Sequence, residues 1–289
     1  LLGCHLSIAG GFDKTIDRAE ALEINALQIF SHSARSWRIN PLKPGQAKQF
    51  IARRRASSVR YVVIHTSYLI NLASPKETLF ERSVQALIQE VERAGQLGIE
   101  AVNTHVGAHT GSGPQAGLAR IVAALDRVLA SPQAQAAPGV KILLENDAGT
   151  GSSLGANFEE LGHILQGVRQ AERLGLCCDS CHAFAAGYDL RTPPGLEAML
   201  AKCERHVGLE KLQLIHLNDS KYPLGSHRDR HEHIGRGYIG LDGFRLLVNH
   251  PRLRALPFVL ETPKEADETD KLDSKADPIN LAAVRALRG

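Results

Sequence analysis

The chain of 289 residues lacks any apolar run long enough to cross a membrane, and its first residues carry neither a basic leader nor the apolar stretch that would follow one. Neither a membrane span nor a secretory signal is expected. It opens on Leu1 rather than Met, so we expect a start trimmed by a few residues. It has little excess of either charge: the net charge is +3 at pH 7 and the pI about 8.6, which permits a polyanionic partner without demanding one. Cysteine is sparse and odd in number. Cys4, Cys177, Cys178, Cys181 and Cys203 suit reduced thiols in the cytosol better than a disulfide framework, so a cytoplasmic protein is expected. Internal repeats, low-complexity tracts and linkers are missing too, which predicts one domain over 1–289.

What is present reads as a globular enzyme. Hydrophobic residues make up 43% and charged residues 22%, a balance that argues against disorder. Short apolar runs alternate with amphipathic stretches of helical length. Strands are expected at 3–7, 26–30, 61–65, 101–105, 140–145, 176–181, 212–217 and 257–261. Helices are expected at 12–22 (with Asp13 as a possible cap), 45–56, 76–96, 115–130, 157–173, 194–206, 242–249 and 279–287, and a charged surface loop at 264–277. The runs are apolar throughout, as in parallel strands covered on both faces, and eight such units predict a single (β/α)₈ TIM-type barrel. A doubly wound sheet is the alternative.

Potential metal ligands fall at the ends of these strands. His65, His105, Glu145, Asp179, His216 and Glu261 close the third to the eighth in turn, spaced by roughly one β/α unit. At the C-terminal face of a barrel they converge on one axis. Unpaired carboxylates and imidazoles there would suffer repulsion and desolvation unless cations were bound. The longest gap holds Asp229-x-His231, and His182 follows Asp179. Nine candidates exceed what two ions usually take, so three are expected. Imidazoles with carboxylates and no thiolate favour Zn²⁺, with Mn²⁺ as the alternative. In a strand 176–181, Cys178 and Cys181 face opposite sides and are expected to be buried small hydrophobes. His5, His109, His227 and His233 lie near the ligands in sequence and are expected either to support them, to touch phosphates or to be ordinary loop residues. His32, His163, His206 and His250 are assigned to surface or helix positions without function.

Six blocks carry a likeness to a known family: His5-Leu-Ser-Ile-Ala-Gly-Gly11, His65-Thr-Ser-Tyr-Leu-Ile-Asn-Leu72, Leu144-Glu-Asn146, Cys178-Asp-Ser-Cys-His-Ala-Phe-Ala-Ala-Gly-Tyr-Asp189, His216-Leu-Asn-Asp-Ser-Lys221, and Asp229-Arg-His231 with Ile234-Gly-x-Gly237. They span almost the whole chain, and on them it resembles the endonuclease IV family of apurinic/apyrimidinic (AP) endonucleases. That resemblance implies a TIM-type barrel with three zinc ions. His65, His105 and Glu145 would hold one, and Glu145, Asp179, His216 and Glu261 a second, with Glu145 as the bridge. His182, Asp229 and His231 would hold the third. It also implies hydrolysis of duplex DNA 5′ to an abasic site, leaving a 3′-hydroxyl and a 5′-deoxyribose phosphate.

Glu145 and Glu261 are the expected catalytic carboxylates, with Glu145 orienting or deprotonating the nucleophile. Arg35, Tyr68 and Leu69 would enter the base stack, and Lys221, Arg228 and Arg230 would touch phosphates. Trp37 fits packing and DNA contact equally well. The chain departs from the family pattern at Val106, Ala108, Thr66 and Asp147, none of them a ligand position. A monomer is expected. Two rivals share parts of this pattern: a divalent-metal sugar isomerase or epimerase, with one or two ions, and a non-catalytic lesion-binding protein, which would lack a bridging carboxylate.

Overall fold

A computed structural model describes residues 1–265 and 275–289. Eight parallel strands close into a barrel: β1 (Leu2–His5), β2 (Ala26–Phe30), β3 (Tyr61–His65), β4 (Ala101–His105), β5 (Lys141–Glu145), β6 (Leu174–Asp179), β7 (Leu212–His216) and β10 (Phe258–Leu260), in the order β1-β10-β7-β6-β5-β4-β3-β2. A two-stranded antiparallel hairpin, β8 (Asp219–Ser220) with β9 (His231–Glu232), stands above the rim. The outer ring is built from α1 (Phe12–Ala21), α2 (Gln46–Arg55), α3 (Glu77–Leu97), α4 (Pro114–Ala130), α6 (Phe158–Gly167), α8 (Pro193–His206), α9 (Gly240–Asn249) and α10 (Ala276–Leu287). The sequence reading lacked two short helices, α5 (Pro132–Ala136) and α7 (Ser180–Ala185).

The period-two alternation of each strand separates two kinds of neighbour. One set of side chains, including Val62, Ile64, Val102, Ile142, Leu144, Leu176 and Ile215, packs in the large core with the helices. The alternate set forms a small plug inside the barrel, made of Ala26, Val63, Ala101, Leu143, Cys177, Leu214 and Val259. Two residues further along these strands come Gln28, His65, Asn103, Glu145, Asp179, His216 and Glu261, so the plug is the floor on which the polar rim sits. At Gly3 the strands β1 and β2 approach so closely that a Cβ would lie 1.6 Å from the Ala26 carbonyl oxygen, which only glycine avoids.

Several boundaries differ from expectation, among them the first strand, which is Leu2–His5 and not 3–7. The sixth strand stops at Asp179 rather than Cys181, because the Asp179 carboxylate accepts the His182 amide at 2.9 Å and caps α7. Cys178 and Cys181 therefore lie on different elements, both buried and free. The helix expected over 157–173 ends at Gly167, where Val168 turns extended. Gly11, with φ 126°, precedes α1 in place of the Asp13 cap; Asp13 sits instead in the first turn. Finally α10 starts at Ala276, so Asp277 belongs to a helix, and Lys264 reaches it at 3.0 Å; the rest of the loop expected at 264–277 falls on residues 266–274, outside the described residues.

Candidate metal centre

His65, His105, Glu145, Asp179 and His216 are the last residues of β3 to β7, and Glu261 follows β10 directly. Parallel register lifts them to one level: His105 pairs with Glu145, and Asp179 with His216. His65, His105 and Glu261 line a cleft of about 490 Å³ together with His5, Phe30, Tyr68, Asp229 and Arg230, while Glu145, Asp179 and His216 are fully buried beside them. Three groups of ligand atoms lie within 4.8 Å of one another: His65 with His105 and Glu145; Glu145 with Asp179, His216 and Glu261; and His182 with Asp229 and His231. Two further groups bring in Cys177 and Cys181. Burial raises both thiols to about 12, which leaves them protonated and poor ligands.

Glu145 stands between the first two groups. Its Oε2 is 3.2 Å from His65 Nε2 and 3.6 Å from His105 Nε2, while its Oε1 is 3.1 Å from His216 Nδ1 and 3.4 Å from His182 Nδ1. Each oxygen thus serves one side. Glu261 Oε2 approaches His216 Nδ1 at 3.1 Å as well, and Asp229 Oδ1 lies 3.2 Å from His182 Nε2 and 3.5 Å from His231 Nε2.

The outer bonds of the imidazoles aim their lone pairs inward. A carbonyl oxygen can only accept, so Nδ1 donates in His65 (to Thr66, 2.8 Å), in His182 (to Asn146, 3.0 Å) and in His231 (to Glu261, 3.0 Å). In the neutral rings Nε2 is then bare. Among the described residues, Nε2 of His182 and of His231 are buried with no hydrogen-bond partner. Two orphaned nitrogens flanking one carboxylate oxygen are what a divalent cation would satisfy, and the oxygen and nitrogen donor set is that of Zn²⁺ or Mn²⁺. The residues fit a bound ion.

A set of side-chain amides that the sequence reading missed surrounds the ligands. Asn103 Nδ2 donates to Glu145 Oε2 at 2.6 Å, and Asn218 Nδ2 to Asp179 Oδ2 at 2.6 Å. Asn146 Oδ1 accepts the Asp179 amide at 2.6 Å. Gln28 accepts from His216 Nε2 at 2.8 Å and donates to Glu261 Oε1. Amides stay neutral at every pH, so they fix the carboxylates without competing for cations. The signal was available: Gln28 and Asn103 are polar breaks in apolar runs, on the inward alternation.

Proximity sets the charges. Burial opposes ionisation of Glu145, yet His105, His216 and His182 hold it well below the usual carboxyl range. Against the same burial, His216 holds Glu261 well below its ordinary value. His182 and His216 rise well above theirs because Asp179 and Asp229, and Glu261 and Glu145, outweigh their desolvation. Asp229 falls to about 2 through His182 and His231, again against desolvation. So strong a negative field draws in positive charge, and protons compete with cations for it.

The remaining candidates lie around the cleft. Tyr68 is 68% exposed, its ring edge-on to Phe30 at 5.4 Å; Leu69 beside it is half-buried. Arg35 is exposed on the loop after β2. Lys221, Arg228 and Arg230 are exposed on the hairpin, where Arg228 lies over the Tyr222 ring. Trp37 packs against the core under Arg82. His5 contacts Gln28 at 3.0 Å, whereas His109 and His227 bond to loop backbone and His233 to Asn280 of α10. His32, expected at the surface, is instead mostly buried, with Nδ1 3.2 Å from Glu90 Oε1.

The family profile described as "Xylose isomerase-like TIM barrel" matches residues 16–282. "Probable endonuclease 4" of Chloroflexus aurantiacus is 45% identical over 285 residues, covering 99% of this chain and 97% of that protein. The protein of that name from Methanoculleus marisnigri is 44% identical over 289 residues, 100% of this chain and 99% of its own. Among solved structures, endonuclease IV from Thermus thermophilus superimposes with a TM-score of 0.86 at 38% identity, covering 99% and 98% of the two chains. A D-tagatose 3-epimerase-like protein reaches a TM-score of 0.72 at 19% identity, with 99% of this chain and 95% of its own covered, which shows the shared barrel alone. A barrel whose rim gathers imidazoles and carboxylates into clusters consistent with metal sites, and whose sequence matches such relatives from end to end, belongs to the endonuclease IV family.

Proposed function

We propose that this chain is a DNA repair endonuclease that hydrolyses the phosphodiester 5′ to an abasic site in duplex DNA, using three zinc ions. The observation that carries this reading is the sharing of Glu145: one oxygen turns to His65 and His105, the other to His216, and the His182, Asp229 and His231 group lies alongside. In this reading His65, His105 and Glu145 hold one ion, Glu145, Asp179, His216 and Glu261 the second, and His182, Asp229 and His231 the third. When bound, zinc supplies Lewis acidity that lowers the pKa of water and neutralises charge on phosphate oxygens.

The chain's own groups do the rest. Glu145, fixed by Asn103 and ionised, orients the attacking water, whose proton passes to solvent; Glu261, fixed by Gln28, holds its charge beside it. The new oxygen–phosphorus bond forms as the bond from phosphorus to the 3′-oxygen breaks. That oxygen takes a proton from solvent and becomes a 3′-hydroxyl, and the phosphate stays on the 5′ side of the abasic sugar. Tyr68 and Leu69, with Arg35, fill the space of the missing base, while Lys221, Arg228 and Arg230 meet phosphates. All nine ligands come from one chain, which supports a monomer as the working unit.

The test is incision of a duplex with one abasic analogue, before and after chelation, alongside elemental analysis. About three zinc ions per chain and chelator-sensitive incision with a 3′-hydroxyl end are expected. One ion per chain and no nicking would move the assignment to the epimerases of the same fold.

A further inference from the structure

The loop from Ser31 to Asn40 forms the first part of the connection from β2 to α2 and presents Arg35 to solvent. A turn closed by the Ser36 amide on the Ser33 carbonyl at 3.0 Å shapes its middle. The rest of its anchorage comes from side chains. On α3, Glu90 is buried to 1% exposure, and its carboxylate faces the loop: Ser31 Oγ donates to Oε2 at 2.5 Å, while Oε1, which has no hydrogen-bond partner among the described residues, lies 3.2 Å from His32 Nδ1. His32 Nε2 reaches across the turn to the Ser36 carbonyl at 3.0 Å. Arg93, one turn along α3, donates to the carbonyls of Ser31 and Asn40, the two ends of the loop, and Arg82 of the same helix covers Trp37 at 4.5 Å. Ser67 Oγ, next to Tyr68, donates to the Ala34 carbonyl at 2.7 Å.

We propose that His32, Glu90 and Arg93 are positioning residues that hold the 31–40 loop in its DNA-reading shape, so that Arg35 meets the lesion preorganised. A buried carboxylate is tolerated only when paired. The hydrogen bond and the imidazole contact of Glu90 are both to loop atoms, and Arg93 on its own helix is the other charge nearby; loop movement would strip the buried carboxylate of its hydrogen bond, which couples the loop to the helix. Ser67 ties the same loop to the segment carrying Tyr68 and Leu69, and the two reading segments act as one rigid unit. Preorganisation of this kind acts on substrate binding and leaves the cation centre alone. This inference rests on the nuclease reading above.

The experiment compares the zinc-loaded wild type with Glu90→Ala, Glu90→Gln and His32→Ala. Glu90→Ala removes both loop partners and is expected to raise KM for abasic duplex about tenfold, with kcat and zinc per chain unchanged. Glu90→Gln keeps an acceptor for Ser31 and is expected to fall between it and wild type. His32→Ala, at a less buried site, is expected to fold and to raise KM if Glu90→Ala does not fold. Amide hydrogen exchange at 32–38 is expected to quicken in every variant. A lower Tm with KM and exchange at 32–38 unchanged would reduce the clamp to ordinary packing and overturn the proposal, as would loss of zinc. A wild type that does not incise abasic DNA at all sinks the nuclease reading instead, and the exchange measurement then still decides the clamp.

Discussion

Two regions supply the candidate ligands, and they are built in opposite ways. Glu145, Asp179 and His216 end barrel strands, have fully buried side chains, and rest on the apolar plug with amides behind them. Asp229 and His231 come from the hairpin above the rim, and their side chains are 50% and 17% exposed. The strand-borne ligands are placed by the barrel itself, whereas the hairpin pair must be placed by something holding the loop. The β8–β9 pairing and the bond from His231 Nδ1 to the Glu261 carbonyl do part of this, and Asp219 at the base of the hairpin fixes the segment that follows, its carboxylate accepting the backbone amides of Gly235, Gly237 and Ile239 at 2.9 to 3.0 Å. Gly237 allows this approach, since a Cβ there would sit 2.5 Å from Asp219 Oδ1. One end of the candidate centre is placed by barrel strands, the other by hairpin pairing, the His231 bond to Glu261 and the Asp219 carboxylate in its nest of amides.

Breaking the shared strand-borne ligand should have the largest effect. Glu145→Gln is expected to keep abasic-DNA binding and to lose incision by at least about a hundredfold, measured in single-turnover assays. Next comes the hairpin anchor: Asp219→Asn sets an amide N–H among backbone donors. It is expected to lower zinc content by about one ion and incision about 10- to 100-fold, read by elemental analysis and steady-state kinetics. Equal loss of all ions would erase the distinction between the regions.

Acidity separates metal-free from loaded protein more gently. The depressed Glu145 and Glu261 contribute stability that is present above their ordinary value of 4.5 and lost as pH falls through their folded values. The raised His182 and His216 contribute stability that is full below 6.5 and lost as pH rises through their folded values. Metal-free protein should therefore be most stable between about 4.5 and 6.5, and loaded protein should gain stability from acid to neutral pH as protons give way to cations. Thermal melts with and without chelator check both slopes. The smallest effect is expected from Arg228→Ala: Arg228 packs on Tyr222 in the open, so KM should move by less than about threefold, and it should move more at low salt.

Much of the rim was legible because a buried parallel strand reads as an apolar run, and a polar residue closing such a run stands out. What was lost lay where local chemistry overrides the run. Asp179 ends β6 by capping α7, so the cysteines that looked like neighbours on one strand are not. Asn103 and Gln28 were hidden inside runs read only for apolarity. His32 was misplaced because its partner Glu90 is distant in sequence, and nothing local marks a buried ion pair. The fold thus follows from pattern, while the supports of the site follow from contacts that only the folded chain brings together.

The most direct measurement is anomalous diffraction at the zinc edge from crystals of the loaded protein. The account predicts three peaks: one among His65, His105 and Glu145, one among Glu145, Asp179, His216 and Glu261, and one among His182, Asp229 and His231. A single peak, or zinc bound away from Glu145, would contradict it.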